Sequence, residues 1–179
     1  MRVLVIRFSA LGDVAMLSPV VRDYALRHPD HEVTVLSQPF CAPLFNDIAP
    51  NVHFLGRDIK RDYKGIVGLH RLFRELHAMK FDRIVDAHDV LRTKVLRMFF
   101  KSHRYSVSTI DKHRKERRQL TAPPPHKILS QLPTSFDNYR EALEPGSPGD
   151  SRLSNDYRLS NDSSISHSSP QGEVGRGLQ

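Results

Sequence analysis

The chain has 179 residues, 39% of them hydrophobic, and carries 27 Lys and Arg against 20 Asp and Glu, a formal net charge of +7. This length accommodates one domain of ordinary size with an additional segment. The positive charge favours an anionic partner, such as phosphate, nucleic acid or an acidic membrane face, without choosing among them. Cys41 is the only cysteine, which excludes an internal disulfide and a cysteine-rich metal cage and favours a cytoplasmic location.

The apolar runs of the sequence are short. The opening residues MRVLVIRFSALGD contain four consecutive apolar residues before Arg7, and no later run approaches the roughly 20 residues of a membrane helix. We therefore expect neither a signal peptide nor a membrane span, and a soluble protein that is free to touch a membrane surface.

Strand and helix patterns alternate along most of the chain. Short β-branched runs predict strands at residues 3–6, 32–36, 52–55, 83–86 and 105–107. Helical spacing predicts helices after residue 13 and at residues 42–48, 66–79, 91–100 and 136–143. This alternation predicts an α/β domain with a doubly wound parallel sheet covered by helices on both faces.

The helical spacing also predicts which side chains face the core. In the first long helix these are Val14, Leu17, Val21 and Tyr24; in the helix at 66–79 they are Ile66, Leu69, Phe73, Leu76 and Met79; in the helix at 91–100 they are Leu91, Val95 and Met98.

The composition changes near residue 144. Residues 146–179 are rich in Ser, Gly, Asn and Asp and have few large apolar side chains, so we expect a disordered tail at 144–179 after a domain at 1–143. The pentapeptide RLSND occurs at 152–156 and again at 158–162, which indicates low complexity or a linear motif. Three prolines at 123–125 predict a rigid break.

Ligands of doubly wound sheets bind outside the carboxyl ends of the strands, which directs attention to the loop at residues 8–13. Gly12 permits close backbone approach, and the following helix start favours anions. Asp13 is either the N-cap of that helix or a general base that takes the proton of an attacking sugar hydroxyl. With one glycine and no Walker lysine, the loop is neither a dinucleotide fingerprint nor a P-loop.

A second polar loop follows the strand at 83–86. It contains Asp86, His88 and Asp89, for which surface turn chemistry is favoured over a metal site because no further ligand is in view. His70 and His77 share one helix face and are expected to be solvated.

A dense basic cluster occupies residues 112–118. It predicts a phosphate-binding loop or a solvated basic turn, and the absence of interleaved aromatic residues argues against base stacking on single-stranded nucleic acid.

Three segments together resemble a known family. MRVLVIRFSALGDVAMLSPVVRDY, KFDRIVDAHDVLRTKVLR and IDKHRKERRQLT are similar to the corresponding segments of the ADP-heptose:lipopolysaccharide heptosyltransferases, glycosyltransferase family 9, over about residues 1–143. The resemblance implies the N-terminal half of a GT-B enzyme, in which two Rossmann-like domains face each other across a cleft. It also implies inverting transfer of heptose from ADP-heptose to a lipid-anchored core oligosaccharide, with no metal or other cofactor besides the nucleotide-sugar substrate.

The resemblance also implies roles for individual residues. Asp13 matches the catalytic base, and His88 stands where the family often has Gln. The residues implied in acceptor binding are Ser9, Gly12, His88, Arg92, Lys94, Lys112, Arg114, Lys115 and Arg117, whose positive members pair with anionic sugar and phosphate groups.

No segment after Pro145 resembles the donor-binding domain of the family. We therefore expect that domain to be absent or supplied by a separately encoded chain. This chain alone is then expected to lack turnover. Its expected location is the cytoplasm or the inner face of the cytoplasmic membrane. One alternative is a non-catalytic module that binds anions or glycans. Another is a nucleic-acid binder driven by the basic cluster, although we expect no specific nucleic-acid partner.

Overall fold

The computed structural model describes residues 1–121 and 132–145, and these residues form one sheet and its covering helices. The strands are β1 (Arg2–Ile6), β2 (Glu32–Ser37), β3 (Val52–Gly56), β4 (Arg83–Asp86) and β5 (Ser106–Thr109). The helices are α1 (Leu11–Arg27), α2 (Gly65–Ala78), α3 (Leu91–Ser102), α4 (Arg114–Leu120) and α5 (Ser135–Leu143), and a 3₁₀ helix spans Pro39–Leu44.

The sheet has the strand order β3-β2-β1-β4-β5, and every neighbouring pair is parallel. Val3 of β1 lies opposite Val33 of β2 and Arg83 of β4, so β1 is the central strand. The chain builds outward from β1 in one direction and then in the other, which places the topological switch point between β1 and β4. The predicted doubly wound α/β fold is confirmed.

Two cores cover the two faces of the sheet. Val3 and Val5 pack with α1 and α5 on one face, whereas Leu4 and Ile6 pack with α2 and α3 on the other. Successive side chains of a strand point to opposite faces, so a run of four buried apolar residues is what a central strand needs.

The predicted inward faces of α2 and α3 are partly wrong. Ile66, Leu91 and Met98 are 68%, 78% and 61% exposed. Ile66 and Leu91 stand in the first turns of their helices, at the carboxyl ends of the strands, where the sheet no longer covers them. The buried residues are Gly68, Leu69, Leu72, Phe73 and Leu76 of α2 and Thr93, Leu96 and Phe100 of α3.

Two further expectations need correction. The helix predicted at 42–48 is the 3₁₀ helix Pro39–Leu44, because Pro43 has no N–H to donate to an α-helical ladder. The basic segment, predicted to be a loop or turn, forms helix α4 from Arg114. The predictions for the prolines at 123–125 and for the disordered tail fall outside the described residues.

Helix α5 completes the face covered by α1. Thr134 is its N-cap: the Thr134 hydroxyl accepts a hydrogen bond of 3.2 Å from the backbone N–H of Asp137, and the Asp137 carboxylate accepts one of 2.9 Å from the backbone N–H of Thr134. Tyr139 and Leu143 are buried against the core. Within the described residues, no helix is long and apolar enough to cross a membrane.

Candidate functional site

Polar side chains meet at the carboxyl ends of β1 and β4, beside the switch point. Helix α1 begins at Leu11 with Ala10 as its N-cap, so Asp13 lies in the first helical turn and not at the cap. The N-cap alternative for Asp13 is therefore wrong. A carboxylate in the first turn is nevertheless favoured by the exposed N–H groups of the helix.

Arg7 holds the Asp13 carboxylate in place. Its Nη2 lies 2.5 Å from Oδ2 of Asp13, and its Nη1 donates to the carbonyl oxygen of Ala87 at 2.5 Å. The guanidinium also lies 5.3 Å from the centre of the Tyr139 ring. The Arg7 side chain is 6% exposed and that of Asp13 is 41% exposed, so a buried cation presents an accessible carboxylate at the surface.

Arg7 was not predicted as a site residue, although its sequence position carried a signal. Arg7 is the first charged residue after the buried run of β1, and a charge at that position requires a partner at the carboxyl edge of the sheet.

His88 joins the β1 loop to the β4 loop. The backbone N–H of Phe8 lies 3.4 Å from Nδ1 of His88, and Ser9 Oγ lies 3.4 Å from Nε2. Because the Phe8 N–H can only donate, Nδ1 accepts, and the neutral ring then carries its proton on Nε2 and donates to Ser9. Burial, together with the positive charges of Arg7 and Lys112, lowers the pKa of His88 to about 4.

Asp86 is a structural anchor beneath this loop. Its side chain is 1% exposed and accepts hydrogen bonds from the backbone N–H groups of His88 (3.0 Å) and Asp89 (2.9 Å). Nη1 of Arg97 donates to its other oxygen at 3.2 Å. The expected turn chemistry is confirmed, although it lies in the interior instead of at the surface. In the described part of the chain, no group of three or more His, Cys, Asp or Glu side chains is placed to hold a metal ion.

Several of the predicted basic residues contact Asp89. Lys94 Nζ lies 3.8 Å from its Oδ1, Arg114 Nη2 lies 3.0 Å from its Oδ2, and Lys112 Nζ donates to its carbonyl oxygen at 3.4 Å. Burial lowers the pKa of Lys112. Lys115 and Arg117 are exposed on α4 and do not join this group.

An open cleft of about 600 Å³ lies next to these loops. Ser9, His88 and Arg92 line it, whereas Gly12 and Asp13 are not among its lining residues. The segment after β3 adds Lys60, Arg61 and Lys64 to the lining. These three residues were not predicted as site residues, although their position after a strand of the same sheet pointed to this edge.

Gly12 has no steric role in the fold. A Cβ atom placed on it would meet nothing within 4 Å, and the residue is exposed. Its lack of a side chain leaves the backbone of the first turn of α1 open to a ligand.

The fold is that of a Rossmann-like α/β domain, and the polar loops form a candidate site at the carboxyl edge of its sheet. Solved structures with this fold include the glycosyl transferase of family 9 from Veillonella parvula, with a TM-score of 0.54, 20% sequence identity, and coverage of 80% of this chain and 40% of that one. The E. coli heptosyltransferase WaaC with ADP-2-deoxy-2-fluoro heptose gives a TM-score of 0.54, 19% identity, and coverage of 90% and 55%. The same enzyme with ADP gives a TM-score of 0.52, 17% sequence identity, and coverage of 90% of this chain and 54% of that one.

These similarities establish the fold as that of the N-terminal half of a heptosyltransferase. The chain spans about 40 to 55% of the length of these three structures. No protein-family model and no curated protein matches the sequence.

Proposed function

We propose that this chain is the acceptor-side half of an inverting, metal-independent glycosyltransferase of heptosyltransferase type. In this proposal the complete enzyme transfers a sugar from an ADP-heptose-like donor to a lipopolysaccharide-core acceptor. The observation that carries it is the Asp13 carboxylate, 41% exposed at the carboxyl edge and fixed by Arg7, next to a cleft with basic walls.

Asp13 is the general base of the proposed reaction. It takes the proton of the acceptor hydroxyl while the hydroxyl oxygen bonds to the anomeric carbon of the donor, and the bond from that carbon to the nucleotide phosphate breaks on the opposite face. Attack from one face and departure from the other invert the anomeric configuration. A base placed in this way contributes on the order of 10² to 10⁴ to the rate.

The basic residues around the cleft suit an anionic acceptor. Arg92, Lys60, Arg61 and Lys64 face one cleft, and guanidinium and ammonium groups form strong charge-assisted hydrogen bonds with phosphate. Neutral His88 supplies a polar contact next to Ser9 without adding charge. The remaining residues of the proposed acceptor site are Gly12, Lys94, Lys112, Arg114, Lys115 and Arg117.

In this proposal the donor is held by a second domain of the complete enzyme. Without it the nucleotide-sugar is not held against Asp13, and positioning of the two reactants provides much of the rate enhancement of such enzymes. The purified chain is therefore expected to bind acceptor without transferring sugar. Its proposed location is the cytoplasm, at the inner face of the cytoplasmic membrane.

Calorimetry with a soluble core oligosaccharide tests the proposal. The phosphorylated oligosaccharide is expected to bind, and Arg92→Gln to weaken binding by about 10- to 100-fold, the equivalent of losing a charged hydrogen bond. Arg22→Gln, which removes an exposed arginine of α1, is the matched control and is expected to leave binding unchanged.

Two results would contradict the proposal. One is equal affinity of the wild-type chain for the phosphorylated oligosaccharide and for single-stranded DNA, lost in parallel as salt rises, which would favour the nucleic-acid alternative. The other is formation of glycosylated product, detected by mass spectrometry, when the chain alone is mixed with ADP-heptose and acceptor, since that would make it a complete enzyme.

The alternative is a non-catalytic module that binds anions or glycans, for which the basic residues lining the cleft are sufficient. It predicts the same oligosaccharide binding as the main proposal. The two differ over Asp13: when a donor-binding domain is supplied, the main proposal expects sugar transfer that Asp13→Asn abolishes, whereas the alternative expects no transfer by either protein. Asp23→Asn, an exposed carboxylate of the same helix, is the control.

A further inference from the structure

Asp89 lies among more positive charges than its carboxylate neutralises. Among the described residues, four cationic side chains contact Asp89, three at the carboxylate and one, Lys112, at the carbonyl oxygen. Nη2 of Arg114 lies 3.0 Å from Oδ2. Nη2 of Arg97 and Nζ of Lys94 lie 3.5 Å and 3.8 Å from Oδ1. These four side chains form a cation cluster around one carboxylate.

Part of the cation cluster is open to solvent. The Arg114 side chain is 63% exposed and contacts Asp89 through Nη2, so its other N–H donors have no partner within the described residues. The Lys94 side chain is 44% exposed. Asp86, paired with Arg97, is the second carboxylate here, so four cations against two carboxylates leave a net charge of +2. Unused donors and excess positive charge suit an anion with several acceptor oxygens, such as phosphate.

We infer that Asp89 is a built-in counter-ion that weakens the binding of a phosphate group to the cation cluster. Its carboxylate engages Arg114 and Lys94, the cations exposed enough to reach a ligand, and it repels a phosphate bound beside them. The inference rests on the proposed function in one respect, since it takes the phosphate to be one carried by the acceptor. A free phosphate is then held weakly, whereas an acceptor that also contacts the cleft overcomes the repulsion.

The backbone at Asp89 permits substitutions that remove the charge and keep the fold. The φ angle of Asp89 is 45°, in the left-handed region that glycine adopts freely and that Asn adopts more readily than most residues. Asp89→Asn keeps the size of the side chain and removes its charge, whereas Asp89→Gly removes the side chain altogether. Both variants are expected to fold, and circular dichroism checks this.

NMR titration of the full chain with inorganic phosphate tests the inference. Amide shifts of residues 90–94 report on binding at the cation cluster. Asp89→Asn and Asp89→Gly are each expected to raise the phosphate affinity roughly tenfold, because a negative charge a few ångströms from the ligand is removed. Addition of Arg114→Gln to the Asp89→Asn protein is expected to abolish most of the gain, since Arg114 is the most exposed cation at the carboxylate.

Asp23→Asn is the matched control. It removes a carboxylate that lies 2.9 Å from Nη2 of Arg27 and is 48% exposed, so it changes the net charge of the chain by the same amount. The phosphate affinity is expected to stay unchanged. ADP and the phosphorylated core oligosaccharide separate the two sources of phosphate. Asp89→Asn is expected to strengthen binding of the oligosaccharide, and a gain confined to ADP would overturn the assignment to the acceptor.

The remaining outcomes also decide the inference. Unchanged or absent phosphate binding in both Asp89 variants would show that the carboxylate does not oppose the ligand. Weaker binding would show that Asp89 holds the cations in position for it, and an equal gain in Asp23→Asn would reduce the effect to net charge. Because inorganic phosphate is the probe, the result does not depend on oligosaccharide binding, and this inference and the proposed function fail separately.

Discussion

Burial of the His88 imidazole makes protein stability sensitive to acid. In the folded protein the pKa of His88 is about 4, below its ordinary value of 6.5, because burial and the positive charges of Arg7 and Lys112 oppose protonation. Unfolded chains take up this proton first as the pH falls. The stabilising contribution is therefore complete above about pH 6.5 and is lost as the pH falls towards 4.

His88→Gln is expected to remove this acid sensitivity. Between pH 7 and pH 4.5 the wild-type protein should lose about 2 kcal/mol more unfolding free energy than the variant, the size set by the difference of the two pKa values. Urea denaturation at both pH values measures it. Parallel losses in both proteins would show that His88 is not the group responsible.

A substitution at Gly12 is expected to affect protein stability and ligand binding differently. Its Cβ position is open, so Gly12→Ala is expected to keep or raise the unfolding free energy by up to about 0.5 to 1 kcal/mol, because alanine is the better helix residue. The added methyl group is expected to weaken oligosaccharide binding at the same time. Calorimetry combined with urea denaturation gives both quantities.

Gly68→Ala provides the contrast for that experiment. A Cβ atom there would collide with the backbone of Tyr63, so a loss of roughly 1 to 3 kcal/mol is expected. If Gly12→Ala lowers the unfolding free energy as much as Gly68→Ala does, the open space around the Gly12 Cβ position does not determine whether a side chain is tolerated there.

Single residues also show the limits of sequence analysis. The position of Asp13 at the start of a helix and the turn chemistry of Asp86 were accessible from local patterns. Arg7 was missed because its three partners, Asp13, Ala87 and Tyr139, come from separate elements. Local patterns describe what a residue is suited to, whereas a buried ion pair depends on which segments fold against each other.

The C-terminal end of α5 is joined to the C-terminal end of α1 by ionic contacts, away from the candidate site. Nη1 of Arg27 lies 2.8 Å from both carboxylate oxygens of Glu144, and His28 contacts the same carboxylate. Burial alone would raise the pKa of Glu144, but hydrogen bonds from Arg27 and His28 outweigh burial and lower the pKa. The contacts therefore stabilise the charged form and lose strength in acid.

Glu144→Gln is expected to loosen α5 and to reduce the unfolding free energy by about 1 kcal/mol at neutral pH, since the partner Arg27 is partly solvated. Amide hydrogen exchange along α5 should accelerate. Asp23→Asn, which removes the other and more exposed partner of Arg27, is expected to cost less than about 0.5 kcal/mol. Equal effects of the two replacements would argue against a special role for Glu144.

The helices illustrate which parts of an element were predictable. Burial of Leu69, Phe73 and Leu76 follows from helical spacing, and so does the existence of α2 and α3. The exposure of Ile66 and Leu91 does not, because spacing cannot tell how far a helix extends past the sheet that it covers.

The strands of the whole sheet were predicted within about two residues, because β-branched runs between turns are strong signals. Their spatial order was not contained in any single run. It follows from the right-handed crossover connections and from which faces the helices cover, and these become visible only when all elements are placed together.

The central position of β1 also bears on how the molecule folds. Residues 2–6 pair with β2 on one side and with β4 on the other, and β4 lies far away along the chain. Parallel pairs between distant segments close long loops before they gain any contact, which slows folding compared with a helical bundle of similar size. The central strand β1 therefore reaches its final pairing only after β4 has been synthesised. Until then, the four apolar residues of β1 that are buried in the folded protein lack one of their two partner strands. Molecular chaperones are well matched to shield such a strand during this interval.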